Sequence, residues 1–307
     1  MTVIHTEDLC KGYGLRRGIR NVNLSVAAGE VFGFLGPNGA GKSTTIRLLL
    51  GFLRASGGTA TVLGMDCWTR GDQIRQQVGY VAGDVRLYPW LTARRAFEIV
   101  GQIRRRTLQT AGMSLCDRFQ LEPDLPVRKM SRGNRQKVAL VLALVHEPQV
   151  IILDEPTSGL DPLIQDTLSE CLLERVSHGS TVFFSSHTLS EVESLCTRVA
   201  IVRDGRIVAD EKLATLQARA PRTVTITFHS PDEAAHSVLP EEVRREAQQG
   251  ASVRCHLKGS VDPLIRWAAA NPPADLIIER PSLETLFRKY YEPVESATLN
   301  SNPEQNN

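Results

Sequence analysis

No apolar run in this chain of 307 residues is long enough to cross a bilayer. The longest strongly apolar stretch, Val138 to Val145, falls far short of the ~20 residues that a spanning helix needs. Any work at a membrane would therefore go through a partner. The six cysteines, at positions 10, 67, 116, 171, 196 and 255, form no CxxC pair and no metal-ligand spacing. Reduced thiols in a cytosolic protein are expected, not a disulfide framework or a zinc site. A formal net charge of +2 supplies no basic field for nucleic acid, so no such partner is expected. The opening Met1-Thr2-Val3-Ile4-His5 lacks the basic segment and apolar core of a secretory signal, and no internal repeat is evident.

What is present is more specific. Gly36-Pro37-Asn38-Gly39-Ala40-Gly41-Lys42-Ser43-Thr44 follows the phosphate-loop pattern GxxxxGK with Ser after the Lys. It lies between Val31–Leu35, which suits a buried parallel strand, and Thr45–Leu50, which suits the opening of a helix. Glycines let a backbone wrap phosphates so that successive N–H groups face them, and a helix N-terminus adds partial positive charge. In this pattern Lys42 reaches the β- and γ-phosphates and the Ser43 hydroxyl ligates Mg²⁺. A glycine-rich structural turn would have no need of Lys-Ser. The chain is expected to bind a nucleoside triphosphate.

The first ~215 residues alternate strand-like and helix-like runs, as in an α/β fold with a largely parallel sheet. Strands are expected at Val3–Leu9, Val22–Val26, Val31–Leu35, Thr59–Leu63, Val150–Leu153, Thr181–Ser185 and Ala200–Val202, with a hairpin turn at Asp204-Gly205. Between about 86 and 148 the pattern is mostly helical, with Ala93–Arg106 and Arg132–Val145 clearest. Composition shifts near Gln217–Pro221. Beyond it Thr223–Phe228 alternates as a half-buried strand, Ser252–Leu257 and Asp275–Ile278 read as further strands, and Ser282–Tyr291 as a closing helix. The expected organisation is a nucleotide-binding domain over 1–217, a small α+β domain over 221–293 and a disordered tail over 294–307.

Val150-Ile151-Ile152-Leu153-Asp154-Glu155 narrows the field of NTPases. A buried strand delivers two carboxylates to its carboxyl end, where open α/β sheets bind ligands. Asp154 is placed to hold Mg²⁺ and Glu155 to act as general base on the attacking water. His187, after the apolar strand 181–185, is either a structural residue or a γ-phosphate contact. Ser131 is a good N-cap for the helix that follows it.

With these residues in this order, residues 1 to about 215 resemble the nucleotide-binding subunit of ATP-binding cassette (ABC) transporters. The resemblance implies a P-loop NTPase core with a helical subdomain, ATP and Mg²⁺ as ligands, and ATP hydrolysis. Met130–Gln136 matches the LSGGQ-type signature, with Ser131, Gly133 and Asn134 at its recognisable positions. In the family this signature contacts the γ-phosphate of ATP held by the opposite subunit, which implies an ATP-bound dimer, a homodimer for a chain with one such domain. Ser158-Gly159-Leu160-Asp161 looks like the loop that crosses the dimer interface, His187 matches the switch histidine, and Tyr13 sits where an aromatic residue stacks on adenine.

The sequence departs from the family at Gly83, where a Gln usually touches Mg²⁺ and senses the membrane subunit; Asp84 or water is left to fill the place. Tyr88 and Trp90 are either interface anchors towards that subunit or core of the helical block. Arg104-Arg105-Arg106 reads as a solvated helix end or a headgroup contact. Pro281–Phe287 with Tyr290-Tyr291 looks like the "SLE-x-x-F" ending of bacterial ABC-2 exporter ATPases. That likeness implies a cytoplasmic protein, peripheral on the inner face of the cell membrane and working through a separate transmembrane permease. The alternative is a soluble ABC ATPase serving translation, repair or assembly.

Overall fold

A computed structural model describes residues 1–14, 16–219 and 222–279. The chain separates into two compact units, Met1–Leu216 and Gln217–Asn307. The first unit opens with β1 (Thr2–Tyr13), β2 (Arg16–Ala27), β3 (Val31–Leu35), α1 (Lys42–Leu49), β4 (Gly57–Val62), β5 (Met65–Asp66), α2 (Gly71–Gln77) and β6 (Val78–Val81). A helical block of α3 (Ala93–Arg104), α4 (Gln109–Arg118) and α5 (Arg132–Leu144) follows. The chain continues through β7 (Val150–Asp154), α6 (Pro162–Ser177), β8 (Thr181–Ser186), α7 (Leu189–Leu195), β9 (Arg198–Arg203), β10 (Arg206–Lys212) and α8 (Leu213–Arg219).

Six strands form the central sheet, in the order β10-β9-β3-β8-β7-β6. All neighbours from β9 to β6 are parallel, and β10 closes the edge antiparallel to β9. Strands β3, β7 and β8 are buried at every position, which is why their sequences are almost continuously apolar. Phe183 packs its ring 5.6 Å from Phe32 and 5.3 Å from Phe34. The parallel register carries the carboxyl ends of β3, β7 and β8 to one edge, and the chemistry collects there.

A second, antiparallel sheet of order β2-β1-β4-β5 extends the expectation of a largely parallel fold. Its strands alternate between buried and exposed residues, the pattern of a sheet with one wet face. Helix α3 begins under the Thr92 cap, whose hydroxyl accepts from Arg95 N. It stops at Arg104, two residues short of the expected end, because Arg105 turns left-handed (φ 53°) and closes the last carbonyls.

The second unit comprises β11 (Arg222–Thr227), α9 (Pro231–His236), β12 (Val243–Gln249), β13 (Ser252–Leu257), α10 (Asp262–Ala270) and β14 (Asp275–Ile278). Its antiparallel sheet has the order β12-β13-β11-β14, the ferredoxin-like β-α-β-β-α-β arrangement. Val224, Ile226, Val253, Cys255 and Leu257 from the sheet meet Ala234 and Leu264 from the helices in one core. Strand β12 has no counterpart in the sequence reading, because only Val243 of its seven residues is buried. The closing helix at 282–291 and the tail at 294–307 lie outside the described residues. All six cysteines are free.

Candidate functional site

The loop 36–41 leaves the end of β3 and enters α1. Two of its glycines are required by backbone shape, with φ 81° at Gly39 and φ 110° at Gly41. Gly36 is required by space, since a Cβ there would lie 2.3 Å from the Val202 carbonyl oxygen. A Cβ on Gly39 would meet nothing within 4 Å, so the loop has an open side at Asn38 and Gly39, both exposed. The closed side is braced by main chain. Gly205, in the β9–β10 turn, donates its N–H to Ala40 O at 3.0 Å, and its carbonyl accepts from Arg20 N of β2 at 2.7 Å. Only glycine fits that turn position, where φ is 75° and a Cβ would lie 2.2 Å from Gly18 O.

Lys42 opens α1 with its side chain almost wholly enclosed. Its ammonium donates to Gly36 O at 2.6 Å and Pro37 O at 3.2 Å, and pairs with Glu155 Oε1 at 3.1 Å. The other oxygen of Glu155 lies 3.2 Å from His187 Nδ1. Lys42 at the start of α1, Glu155 after β7 and His187 after β8 thus form one chain, Lys42–Glu155–His187. Glu155 takes a left-handed conformation (φ 49°) directly after β7, and its N–H donates to Ser185 O at 3.1 Å. This turns the carboxylate away from the strand direction and towards Lys42.

Asp154 is buried beside it. Ser185 Oγ donates to Asp154 Oδ1 at 2.7 Å, while Oδ2 faces Gly83, where a Cβ would come within 3.4 Å. A side chain at position 83 would therefore lie against the Asp154 carboxylate. Asp84 does not fill that place, for it is exposed and paired with Arg86 at 2.8 Å. Ser43 and Thr44, in the first turn of α1, are half-buried.

The signature residues gather elsewhere. Ser131 caps α5 by accepting from Asn134 N at 3.1 Å. A Cβ on Gly133 would lie 2.6 Å from Gly159 O, and Arg132 donates to Ser158 Oγ at 2.8 Å. The start of α5 therefore rests on the loop 158–161 of its own chain. Asp161 caps α6 through Ile164 N at 3.1 Å. Among the described residues, Ser131, Gly133, Asn134 and Asp161 make no hydrogen bond or ion pair with the phosphate loop. Tyr13, at the end of β1, is exposed, with Lys11 Nζ 5.6 Å from its ring centre.

Further contacts enter only through the structure. Glu191 of α7 accepts from Ser186 Oγ at 2.5 Å and from Thr157 Oγ1 at 2.8 Å, tying the residue before His187 to the loop after Glu155. Gln136 Nε2 donates to Pro156 O at 2.9 Å, joining α5 to the same loop. No motif pattern marks Glu191, and Gln136 was legible only as the last residue of the signature stretch; the roles of both lie in contacts to loop residues 20 or more positions away (Gln136 to Pro156, Glu191 to Thr157). Tyr88 and Trp90 stack on each other at 5.8 Å and are 69% and 56% exposed, so they are not core of the helical block. Arg105 and Arg106 are exposed, as a solvated helix end would be, while Arg104 and Arg106 also donate to backbone carbonyls.

A glycine-rich loop on a buried parallel strand, facing a carboxylate pair at the end of a strand two places away in the same sheet, defines a P-loop nucleotide-hydrolysing protein of the α/β class. Residues 19–158 match the ABC transporter family model. The chain is similar to an ABC transporter ATP-binding protein of Synechocystis, at 35% identity over 88% of this chain and 77% of that one. It is also similar to the Nod factor export ATP-binding protein I of Sinorhizobium fredii, at 32% identity over 92% of this chain and 84% of that one. A solved ATP-binding subunit of an ABC transporter superposes with a TM-score of 0.66 at 29% identity, covering 70% of this chain and 92% of that structure. The chain belongs to the ABC transporter family, as an ATP-binding subunit that hydrolyses ATP. A soluble factor without a transporter is set aside by these relatives. No described helix is long and apolar enough to cross a membrane.

Proposed function

We propose that this chain powers an exporter. Two copies close on two ATP molecules, and closure drives a separate transmembrane permease, with the chain held on the cytoplasmic face of the cell membrane by that permease. The likeness to a Nod factor export subunit supports the direction of transport. The exposed Tyr88–Trp90 stack supplies an aromatic anchor towards the permease.

Within each copy the N–H groups of residues 36–44 cradle the phosphates, and Tyr13 stacks on adenine. Lys42 exchanges its bond to Glu155 for the β- and γ-phosphates. Glu155 accepts the proton of the attacking water as the γ-phosphoryl group leaves ADP, and His187 holds the carboxylate in place and reaches the γ-phosphate. From the second copy, Ser131, Gly133, Asn134 and Asp161 close the site. The donor set suits Mg²⁺, which takes few protein oxygens and keeps phosphate and water ligands. Ser43 and the free Oδ2 of Asp154 would hold it. Bound there, it neutralises charge on the phosphate oxygens.

The chain Lys42–Glu155–His187 carries this reading, because the Glu155 carboxylate lies between the phosphate-loop lysine and the end of a third strand, which supports its role as base. The test is Glu155→Gln. This variant should keep ATP binding, lose turnover by about a hundredfold or more, and run as an ATP-dependent dimer on size exclusion. Hydrolysis at the wild-type rate would sink the general-base assignment.

A further inference from the structure

From Leu125 to His146 the chain carries five cations and no carboxylate. Four of them, Arg128, Lys129, Arg132 and Arg135, are exposed around the start of α5. Among the described residues, none of these four has a carboxylate partner. Arg135 turns back on its own chain, donating from Nε and Nη2 to Met130 O at 3.3 and 3.2 Å. Arg132 is held differently. Its Nη2 donates to Ser158 Oγ at 2.8 Å, which occupies one of the N–H donors of a guanidinium that has five. Its stem lies across Gly159, where a Cβ would stand 3.7 Å from Cγ and Cδ. The side chain is thus braced by a neutral hydroxyl, and no carboxylate among the described residues neutralises it. The cation stands at the amino end of a helix of 13 residues, whose own partial positive charge adds to it.

Position 132 is a glycine in the LSGGQ pattern, so this cation is a departure of this chain, as Gly83 is. A purely structural arginine would act as a pin between α5 and the loop 158–161. Such a pin needs a donor for Ser158 and no charge. The approach of the two segments is already set by Gly133, where a Cβ would lie 2.6 Å from Gly159 O. The charge is therefore left without a task inside the chain.

We propose that Arg132 contacts the γ-phosphate of the ATP held by a second copy of this chain, adding a side-chain cation where the pattern offers no charged residue. Ser158 is its positioning residue. It holds the guanidinium before the copies meet, so the contact forms without ordering a long side chain. The γ-phosphate is the group that ADP lacks, and the contact disappears when hydrolysis releases it. Arg132 thereby ties closure of the two copies to an intact triphosphate. The inference rests on the dimer reading of the site given above.

The experiment measures the ATP-dependent dimerisation constant of the Glu155→Gln chain by analytical ultracentrifugation and compares three substitutions at position 132. Arg132→Gly restores the residue of the pattern. It should weaken the ATP dimer about tenfold for each of its two contacts, about a hundredfold in all. Arg132→Gln keeps a donor for Ser158 and removes the charge, and it should weaken the dimer as far. Arg132→Lys keeps the charge without the planar fork and should stand between these two and the parent. ATP affinity of the dilute monomer, from fluorescent-nucleotide titration, should stay within about twofold of the parent in all three. In the chain that retains Glu155, Arg132→Gln should lower kcat by about tenfold or more at saturating ATP and protein. A dimer within about twofold of the parent in Arg132→Gly or Arg132→Gln would overturn the proposal. So would recovery in Arg132→Gln of what Arg132→Gly loses, which would reduce Arg132 to its grip on Ser158, or a matching loss of ATP affinity in the monomer. If the Glu155→Gln parent itself forms no dimer with ATP, the dimer reading fails and this contact with it. A tight parent dimer indifferent to position 132 refutes the contact alone.

Discussion

Ser185→Ala removes one hydroxyl from the fully buried end of β8, and that hydroxyl donates to Asp154 Oδ1 at 2.7 Å. It also accepts from Glu155 N at 3.3 Å, so a single atom orients both carboxylates. A hydrogen bond to an ionised group contributes about 1.5–3 kcal/mol, against roughly 1 kcal/mol for a neutral pair. Ser180→Ala supplies the neutral comparison, for Ser180 Oγ is likewise buried and donates to Pro148 O at 2.8 Å. For a unit of this size 1 kcal/mol moves the melting temperature by about 2–4 °C. The melting transition of the first unit should therefore fall by about 4–8 °C in Ser185→Ala and by about half that in Ser180→Ala. The assay is thermal unfolding followed by circular dichroism, paired with steady-state hydrolysis, in which only Ser185→Ala should lower kcat. Equal melting shifts in the two variants, or unchanged hydrolysis in Ser185→Ala, would refute the claim that Ser185 orients the carboxylates.

Three further outcomes are expected. Lys42→Ala should abolish tight nucleotide binding in a fluorescent-nucleotide titration, and unchanged affinity would refute its phosphate role. Glu191→Gln replaces one acceptor oxygen with an amide donor, breaking one of the two links to Ser186 and Thr157; kcat should fall about tenfold with KM nearly unchanged. A shift in KM alone would show that Glu191 serves binding rather than alignment. Burial, helped by Arg104, pushes the His146 imidazole down to about 4, below its usual value of 6.5. Because the folded value is the lower one, protonation favours unfolding. The neutral form's stability is present above about pH 6.5 and is lost as pH falls towards 4, about 3 kcal/mol in all. Urea unfolding across that range should show the slope in the wild type and flatten in His146→Leu.

The fold was legible where local sequence and buried environment agree. Val31–Leu35 and Val150–Leu153 are continuous apolar runs because their strands are covered on both faces, and the sequence bounds match the structure within a residue. Asp204-Gly205 announced its hairpin because both residues take positive φ, 49° and 75°. The strand Val243–Gln249 was invisible, since six of its seven residues face solvent and carry no alternation. The candidate site shows the same division. Glycines, Lys42 and the Asp-Glu pair sit in patterns whose chemistry is local. Ser185, Glu191 and the Gly205 brace act on residues far away in the chain, and only the parallel register brings them there. Asp84 had the right chemistry for the place beside Asp154, but its short link to Arg86 turns it to solvent.

The main-chain bonds from Gly205 to Ala40 and Arg20 owe nothing to a ligand. The phosphate loop therefore loses its conformational freedom when the protein folds, and little ordering remains for the moment of nucleotide capture. Association should then be governed by encounter, without a slow loop rearrangement in its kinetics. Part of the nucleotide affinity is in effect stored in the turn that joins the edge strand to its neighbour. A bulkier residue at 205 would register as a weaker grip on ATP, even with every residue from Gly36 to Thr44 intact.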